Sequence, residues 1–169
     1  MKSNRIGHIF TYGTLMASDR GPRGVRERAR IAAQCIFVGS ATIRGRMFDT
    51  GPYPAVLLDA GRGERVHGEI WQLPRHYEDL LAALDAYEGC APDSPQPQPY
   101  ARSSLRLRAP DGRRLTAWIY LWVAPVQKLP RIADGRWRSA QRINAGTGAP
   151  MEAREPLLGS QLIVAAPDP

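Results

Sequence analysis

The sequence predicts an α+β fold in which a mixed, curled or barrel-like β-sheet packs with two main helices. Several short β-prone segments are separated by turn residues, which is the pattern of strands and hairpins. Two other segments, residues 25–34 and 77–88, have apolar side chains at helical spacing. Because strands and helices do not alternate along the chain, a doubly wound parallel sheet is not expected.

The N-terminal part of the chain contains a strand, a helix and a second strand region. Ile6–Tyr12 is short, apolar and β-prone, and it runs directly into the turn residue Gly13. In residues 25–34, apolar side chains recur at helical spacing with charged side chains between them, as in an amphipathic helix. In Cys35–Phe48, apolar and small residues are interrupted by two glycines, so we expect either two strands or one strongly bent strand.

The middle of the chain contains two more strands and the second helix. Turn residues at 49–52 precede a short strand at Ala55–Leu58, and Val66–Leu73 forms the next strand. In Tyr77–Glu88, three leucines and a tyrosine form one apolar stripe. Gly89 follows where a left-handed C-terminal cap belongs, so the helix ends there.

A loop and a hairpin follow the second helix. Residues 90–99 contain four prolines, which exclude a helix or a central strand and predict an extended loop. Ser103–Arg108 and Leu115–Val123 flank Asp111-Gly112, which is a strong signal for a hairpin turn.

The length and composition are those of one globular domain with an extension. The chain has 169 residues, of which 43% are hydrophobic and 23% charged. Beyond Trp137 it becomes rich in Pro, Gly and Ala, so we expect a domain at residues 1–138 and a loosely packed C-terminal extension at 139–169. The two cysteines, Cys35 and Cys90, fit neither a disulfide framework nor a zinc motif, so no metal site is expected.

The charge of the chain raises the question of nucleic acid as a partner. The net charge is +7, and only two of the 23 basic residues are lysines. The arginines are scattered, however, and the densest cluster, residues 20–30, has no interleaved aromatic residues for base stacking. Nucleic acid is therefore an unlikely partner. No apolar run approaches the roughly 20 residues of a membrane helix, and the N-terminus lacks a signal-peptide pattern, so we expect a cytoplasmic protein that does not enter membranes.

Tyr12-Gly13-Thr14-Leu15 is the first candidate site, because it lies where a strand passes into a loop. Backbone N–H groups at such a position can form an anion-binding nest, and Gly13 permits the close approach of a ligand. An ordinary turn is the alternative interpretation.

Glu88 is the second candidate, because helix geometry places it on the apolar stripe one turn after Leu84. Desolvation and the negative end of the helix macrodipole would both raise its pKa and suit it to proton exchange near neutral pH. Alternatively, Glu88 turns outward at the helix end or pairs with Arg102. Asp85 is a rival acid, or else a solvated helix residue.

An ordered set of short stretches runs through residues 6–138. They are Phe10-Thr11-Tyr12-Gly13-Thr14-Leu15, Gly45-Arg46-Met47-Phe48-Asp49, Tyr53-Pro54-Ala55-Val56, Val66-His67-Gly68-Glu69-Ile70-Trp71, Leu84-Asp85-Ala86-Tyr87-Glu88-Gly89, Tyr100-Ala101-Arg102, Trp118-Ile119-Tyr120 and Gly135-Arg136-Trp137. Each stretch is common, but the ordered set is specific. In this order the chain resembles the gamma-glutamylcyclotransferase-like family, which includes gamma-glutamylamine cyclotransferases and plant avirulence-induced proteins.

The resemblance implies an enzyme of that fold. Its small-molecule gamma-glutamyl substrate would be cyclised to 5-oxoproline with release of the attached amine, without metal or organic cofactor. Tyr12, Gly13, Thr14 and Leu15 would bind the substrate's alpha-carboxylate and alpha-amine, and Glu88 would be the catalytic acid/base. A catalytically silent module that binds a metabolite or partner is the alternative.

Further residues are expected to line this site or to support it. Tyr100 and Tyr120 are candidate pocket residues, although a strand aromatic can equally belong to the core. Arg102 is expected in a structural ion pair with Asp85 or Glu88. The chain departs from the family in its proline-rich loop at 90–99 and in the basic segment at residues 19–30.

Overall fold

The computed structural model describes residues 5–58 and 63–138. In chain order the elements are β1 (His8–Thr11), a 3₁₀ turn (Gly13–Leu15), α1 (Val25–Gln34), β2 (Ile36–Asp49), β3 (Pro54–Leu58), β4 (Arg65–Gln72), α2 (Glu78–Tyr87), β5 (Tyr100–Arg108), β6 (Arg114–Trp122) and β7 (Arg131–Ile132). The extension expected at residues 139–169 lies outside the described residues.

The described strands form one mixed sheet with the order β3-β2-β4-β1-β6-β5, and β7 pairs with β2. The pairing of β1 with β6 is parallel, and the other pairings among these strands are antiparallel. β2 and β5 are far apart in this order, yet they contact each other. The sheet is therefore curled into a half-barrel, which confirms the predicted fold class.

Two hydrophobic cores lie on the two faces of this curled sheet. The first packs the helices against the sheet, with Ile31 of α1 and Leu84 of α2 on Ile9 and Trp71 of the strands. The second fills the inside of the curl with side chains of the strands and of Trp137. Alternation along β1 explains the division, because Ile9 faces the helices and Phe10 faces the curl.

The helices agree closely with the sequence pattern. α1 spans the predicted residues, and α2 differs from its predicted range only at the ends. Gly89 has the left-handed backbone (φ +69°) that the cap requires. The N–H groups of Gly89 and Cys90 return to the carbonyls of Ala86 and Asp85, which is a Schellman ending. Neither helix, in the part of the chain that the structure describes, is long and apolar enough to cross a bilayer.

The structure decides one alternative that the sequence left open and adds two short elements. Cys35–Phe48 was predicted as two strands or one bent strand, and β2 is a single strand with an irregularity between Phe37 and Gly39. β7 and the 3₁₀ turn were not predicted, because segments of two or three residues carry no periodic signal. The hairpin around Asp111-Gly112 is formed by β5 and β6 as predicted.

Gly68 of β4 generates the first testable prediction. A Cβ at this position would lie 2.3 Å from the carbonyl oxygen of Thr11 and 2.4 Å from Cζ of Phe10. We expect Gly68→Ala to lower the free energy of unfolding by about 3 kcal/mol or more, because β1 and β4 must separate to accommodate the methyl group. Gly7→Ala is the control, since no atom lies within 4 Å of a Cβ there. Equal denaturation midpoints for the two variants would contradict this packing.

Candidate active site

A pocket opens where β1 ends and where α2 ends. We call it the Glu88 pocket. Its lining consists of Phe10, Thr11, Tyr12, Thr14, Leu15, Tyr53, Pro54, Glu88, Tyr100 and Tyr120. The structure thus brings the predicted loop and the predicted glutamate together from positions far apart in the chain.

The loop that follows β1 is a 3₁₀ turn, Gly13–Leu15, whose residues are buried. Gly13 has φ +72°, and a Cβ there would lie 2.3 Å from Cγ of Pro54. Glycine is therefore required both by the backbone and by the close approach of β3. No side chain caps the N-terminus of this turn, which leaves its first N–H groups available to a ligand.

Two buried side chains hold this turn and the residues after it. The carboxylate of Glu69 on β4 accepts hydrogen bonds from the N–H groups of Ala17 (2.7 Å) and Ser18 (3.1 Å). The guanidinium of Arg28 on α1 donates to the carbonyl oxygen of Thr14 at 2.7 Å. Because the carbonyl oxygen of Thr14 and the N–H groups after the turn are all hydrogen-bonded, the turn can present its own N–H groups in one fixed orientation.

Glu88 lies at the C-terminal cap of α2, where its N–H donates to the carbonyl oxygen of Leu84 at 2.9 Å. Among the described residues, its carboxyl group has no hydrogen-bond or ion-pair partner. Desolvation, followed by repulsion from Glu27 on α1, raises the pKa of Glu88 to about 8. Such a carboxyl group exchanges protons readily near neutral pH.

Asp85 has the opposite environment, although it is only three residues earlier on α2. Its Oδ1 accepts hydrogen bonds from the hydroxyl of Tyr120 (2.8 Å) and from Nε of Arg102 (2.9 Å). The guanidinium of Arg102 also lies 4.7 Å from the ring centroid of Trp118. Arg102 therefore pairs with Asp85, where the sequence pattern left Asp85 and Glu88 as alternatives.

Three tyrosines form much of the pocket wall. The hydroxyl of Tyr12 donates to the carbonyl oxygen of Tyr120 at 2.5 Å, and the hydroxyl of Tyr100 donates to that of Pro54 at 3.0 Å. Burial raises the pKa of Tyr12, Tyr100 and Tyr120 well above the ordinary value, so all three stay protonated. Their hydroxyl protons are engaged with protein acceptors, and the rings shape the pocket.

Several site residues carry no sequence signal that would have identified them. Tyr53 and Pro54 line the pocket from the start of β3. Tyr87 contributes a hydroxyl 3.2 Å from Oγ1 of Thr14, and burial raises its pKa to about 12. Glu27 acts on Glu88 from another helix. Only Glu69 could have been noticed beforehand, as a carboxylate directly before the apolar residues Ile70 and Trp71 of β4.

Metal ligands are not grouped in the described residues. No three His, Cys, Asp or Glu side chains there lie close enough to hold an ion. Cys35 and Cys90 are free thiols, and desolvation raises the pKa of each to about 11.

A separate groove gathers arginines that are scattered along the sequence. Four exposed ones, Arg44, Arg65, Arg106 and Arg108, line it together with apolar residues of β2 and β5. Arg44 lies directly opposite Arg65 in the β2–β4 register, an unfavourable pairing of like charges. The expectation that nucleic acid is not a partner stays a prediction.

Comparison with known proteins identifies a family for this chain. The family model described as "Gamma-glutamyl cyclotransferase, AIG2-like" matches residues 9–139. A gamma-glutamylaminecyclotransferase of Bos taurus is 30% identical over 115 residues, which are 62% of this chain and 58% of that protein. The chain thus spans a little over half of that relative's length.

Solved structures agree with the family match. The crystal structure of an AIG2-like protein from Mus musculus has a TM-score of 0.58 at 25% identity, covering 80% of this chain and 90% of that one. The solution structure of the Escherichia coli protein ytfP has a TM-score of 0.51 at 26% identity, covering 77% of this chain and 95% of that one. Since the family model matches well over half of the sequence, this chain belongs to the gamma-glutamyl cyclotransferase, AIG2-like family.

Proposed function

We propose that this chain is a gamma-glutamyl cyclotransferase that converts a gamma-glutamyl amine or peptide into 5-oxoproline and a free amine. The observation that carries the proposal is the unpaired Glu88 carboxyl, whose pKa is raised to about 8, in a pocket beside the uncapped turn Gly13–Leu15. Family membership supplies the substrate class.

Substrate binding follows from the turn. Its free N–H groups would hold the alpha-carboxylate of the substrate, with the buried wall of tyrosines around the methylene groups. This places the alpha-amine within reach of its own gamma-carbonyl. An intramolecular attack gains most of its rate from such orientation, so the protein needs no nucleophile of its own.

Glu88 is assigned the proton transfers of the proposed reaction. Its carboxylate accepts a proton from the alpha-ammonium, and the resulting amine forms a C–N bond to the gamma-carbonyl carbon. The C–N bond to the leaving amine then breaks as Glu88 returns the proton to the departing nitrogen, and the second proton that the ring nitrogen loses leaves with the released amine as its ammonium ion. The reaction consumes no net proton, and a carboxyl group with a pKa near 8 can act in both directions.

A catalytically silent binding module is the alternative, and turnover distinguishes the two. Incubation with a panel of gamma-glutamyl amines, gamma-glutamyl peptides and glutathione should yield 5-oxoproline from at least one compound. Binding of a panel member without any 5-oxoproline would support the silent module.

Glu88→Gln should abolish turnover, because an amide cannot exchange protons with the reacting nitrogens. The expected loss is about 100-fold or more in kcat, in line with general acid/base contributions. The measurement is the rate of 5-oxoproline formation. A variant that keeps more than about a tenth of the activity would contradict this assignment.

Thermal unfolding provides the folding control for Glu88→Gln. The carboxyl group has a raised pKa in the folded state, so the native protein loses stability as pH rises between the unfolded value and about 8. Glutamine carries no charge, so the variant should have the higher Tm at pH 9 and the same Tm at pH 4. A lower Tm for the variant at both pH values would indicate a damaged fold.

Glu27→Gln should shift the pH profile of the reaction. Glu88 must be ionised to accept the first proton, so kcat/KM rises with pH through its pKa. Removal of the negative charge of Glu27 lowers the pKa of Glu88, and the ascending limb should therefore move to lower pH. Glu78→Gln is the control, because Glu78 is exposed and pairs with Arg5. If both variants keep the wild-type profile, Glu27 does not tune the site.

Arg102→Ala should destabilise the protein by about 1–2 kcal/mol, because it leaves the mostly buried Asp85 carboxylate without its cation. The additional change Asp85→Asn should recover part of this loss. Arg113→Ala is the surface control, since Arg113 forms an exposed pair with Asp111 and should contribute little. Equal losses in denaturant unfolding for the Arg102 and Arg113 variants would show that the buried pair is not structural.

A further inference from the structure

The loop at residues 19–24 is built around Arg28, a residue that the proposed chemistry does not use. The Arg28 side chain is 12% exposed and forms an ion pair with Asp19. Its guanidinium also donates to the carbonyl oxygens of Thr14 (2.7 Å) and Gly21 (2.9 Å), and to that of Arg23. Arg28 thus ties this loop to the turn at the Glu88 pocket.

Arg23 is the residue that this loop presents at the pocket. Its guanidinium lies 5.2 Å from the ring centroid of Tyr53, and Nη1 donates to the Tyr53 hydroxyl at 3.3 Å. Tyr53 lines the pocket and packs edge-on against Tyr87 at 6.4 Å. The exposed cation of Arg23 is therefore held on the outer side of the pocket wall.

The positive charge of Arg23 has no acidic partner in the part of the chain that the structure describes. Within residues 5–58 and 63–138, Arg28 and Arg102 form ion pairs, whereas no carboxylate lies within ion-pair distance of Arg23. One N–H group of Arg23 donates to the Tyr53 hydroxyl, and the other N–H groups of the guanidinium can donate to a carboxylate. Its orientation is already restricted, so less entropy is lost when an anion binds.

The substrate extends past this residue if its head group lies in the pocket. The turn Gly13–Leu15 and Glu88 would hold the head group, so the amine attached to the gamma-carbonyl would extend away from them, and Arg23 lies beside the pocket through its contacts with Tyr53. We propose that Arg23 makes the chain prefer gamma-glutamyl substrates whose leaving amine carries a carboxylate, as amino acids and peptides do. This inference rests on the proposed function, because it takes the position of the head group from it.

Glu27 carries the charge opposite to that of Arg23 and would favour the opposite kind of leaving amine. It is partly buried on α1 and acts on Glu88 and Tyr87. If Glu27 met the leaving amine, cationic amines would be preferred. Arg23 is favoured because its contacts with Tyr53 fix it on the pocket wall, whereas Glu27 makes no hydrogen bond or ion pair within the described residues.

Binding to the Glu88→Gln form of the full chain tests the inference without turnover. The two ligands are gamma-glutamyl-alanine and gamma-glutamyl-alaninamide, which differ only in the terminal carboxylate. Calorimetry should give a Kd about two- to fivefold lower for the carboxylate, as expected for a partly exposed ion pair. The added change Arg23→Gln should bring the ratio close to one, and Arg26→Gln, which removes an exposed arginine of α1, should leave it unchanged.

Three binding results would overturn the inference, as would an absence of binding. They are equal Kd values in the parent protein, a ratio that Arg23→Gln does not alter, and tighter binding of the cationic ligand gamma-glutamyl-diaminoethane that Glu27→Gln removes. Absence of binding by either ligand would also overturn it. If binding depends on Arg23 but the protein with Glu88 intact forms no 5-oxoproline, the enzyme proposal fails while the preference of the pocket remains.

Discussion

The carboxyl group of Glu88 is partly shielded from water at the end of α2, and the arrangement of the site depends on keeping it there. The apolar stripe of α2 fixes the rotation of the helix, because Leu80, Leu81 and Leu84 must pack against the sheet. One turn after Leu84 the side chain necessarily points toward the same interior. The Schellman ending at Gly89 then turns the chain away, so the helix terminates with Glu88 at the pocket.

Asp85 and Glu88 lie close together at the end of α2 but have different surroundings. Asp85 is neutralised by Arg102 and receives the hydroxyl of Tyr120, so its charge is satisfied and its position is fixed. Glu88 has neither kind of partner and is repelled by Glu27, so its pKa lies where protons exchange. The ion pair thus supports the helix that carries Glu88, and it does so without lowering the pKa of Glu88 itself.

The features that could be predicted from the sequence are those set by local chemistry. The apolar stripe of leucines and the glycine cap predicted α2 with Glu88 at its end. The Asp111-Gly112 turn predicted the β5–β6 hairpin. Tyr53, Pro54 and Glu27 could not be predicted as site residues, because only the curl of the sheet and the packing of α1 bring them to Glu88. The partner of Arg102 stayed open for the same reason, since a strand arginine and a helix acid meet only in the folded chain.

The arginines of this chain have different structural roles, which become visible only in the folded protein. Arg28 and Arg102 are mostly buried and hold main-chain carbonyls or a carboxylate, so they act as structural cations. Arg44 and Arg65 face each other on the exposed surface, where solvent screens their repulsion. Arg23 belongs to neither group, because it contacts the ring and hydroxyl of Tyr53 and yet forms no ion pair with any residue that the structure describes. Net charge alone therefore says little about partners in this protein, whereas the placement of each guanidinium relative to the Glu88 pocket selects Arg23 as the arginine that would meet a ligand on the proposed function.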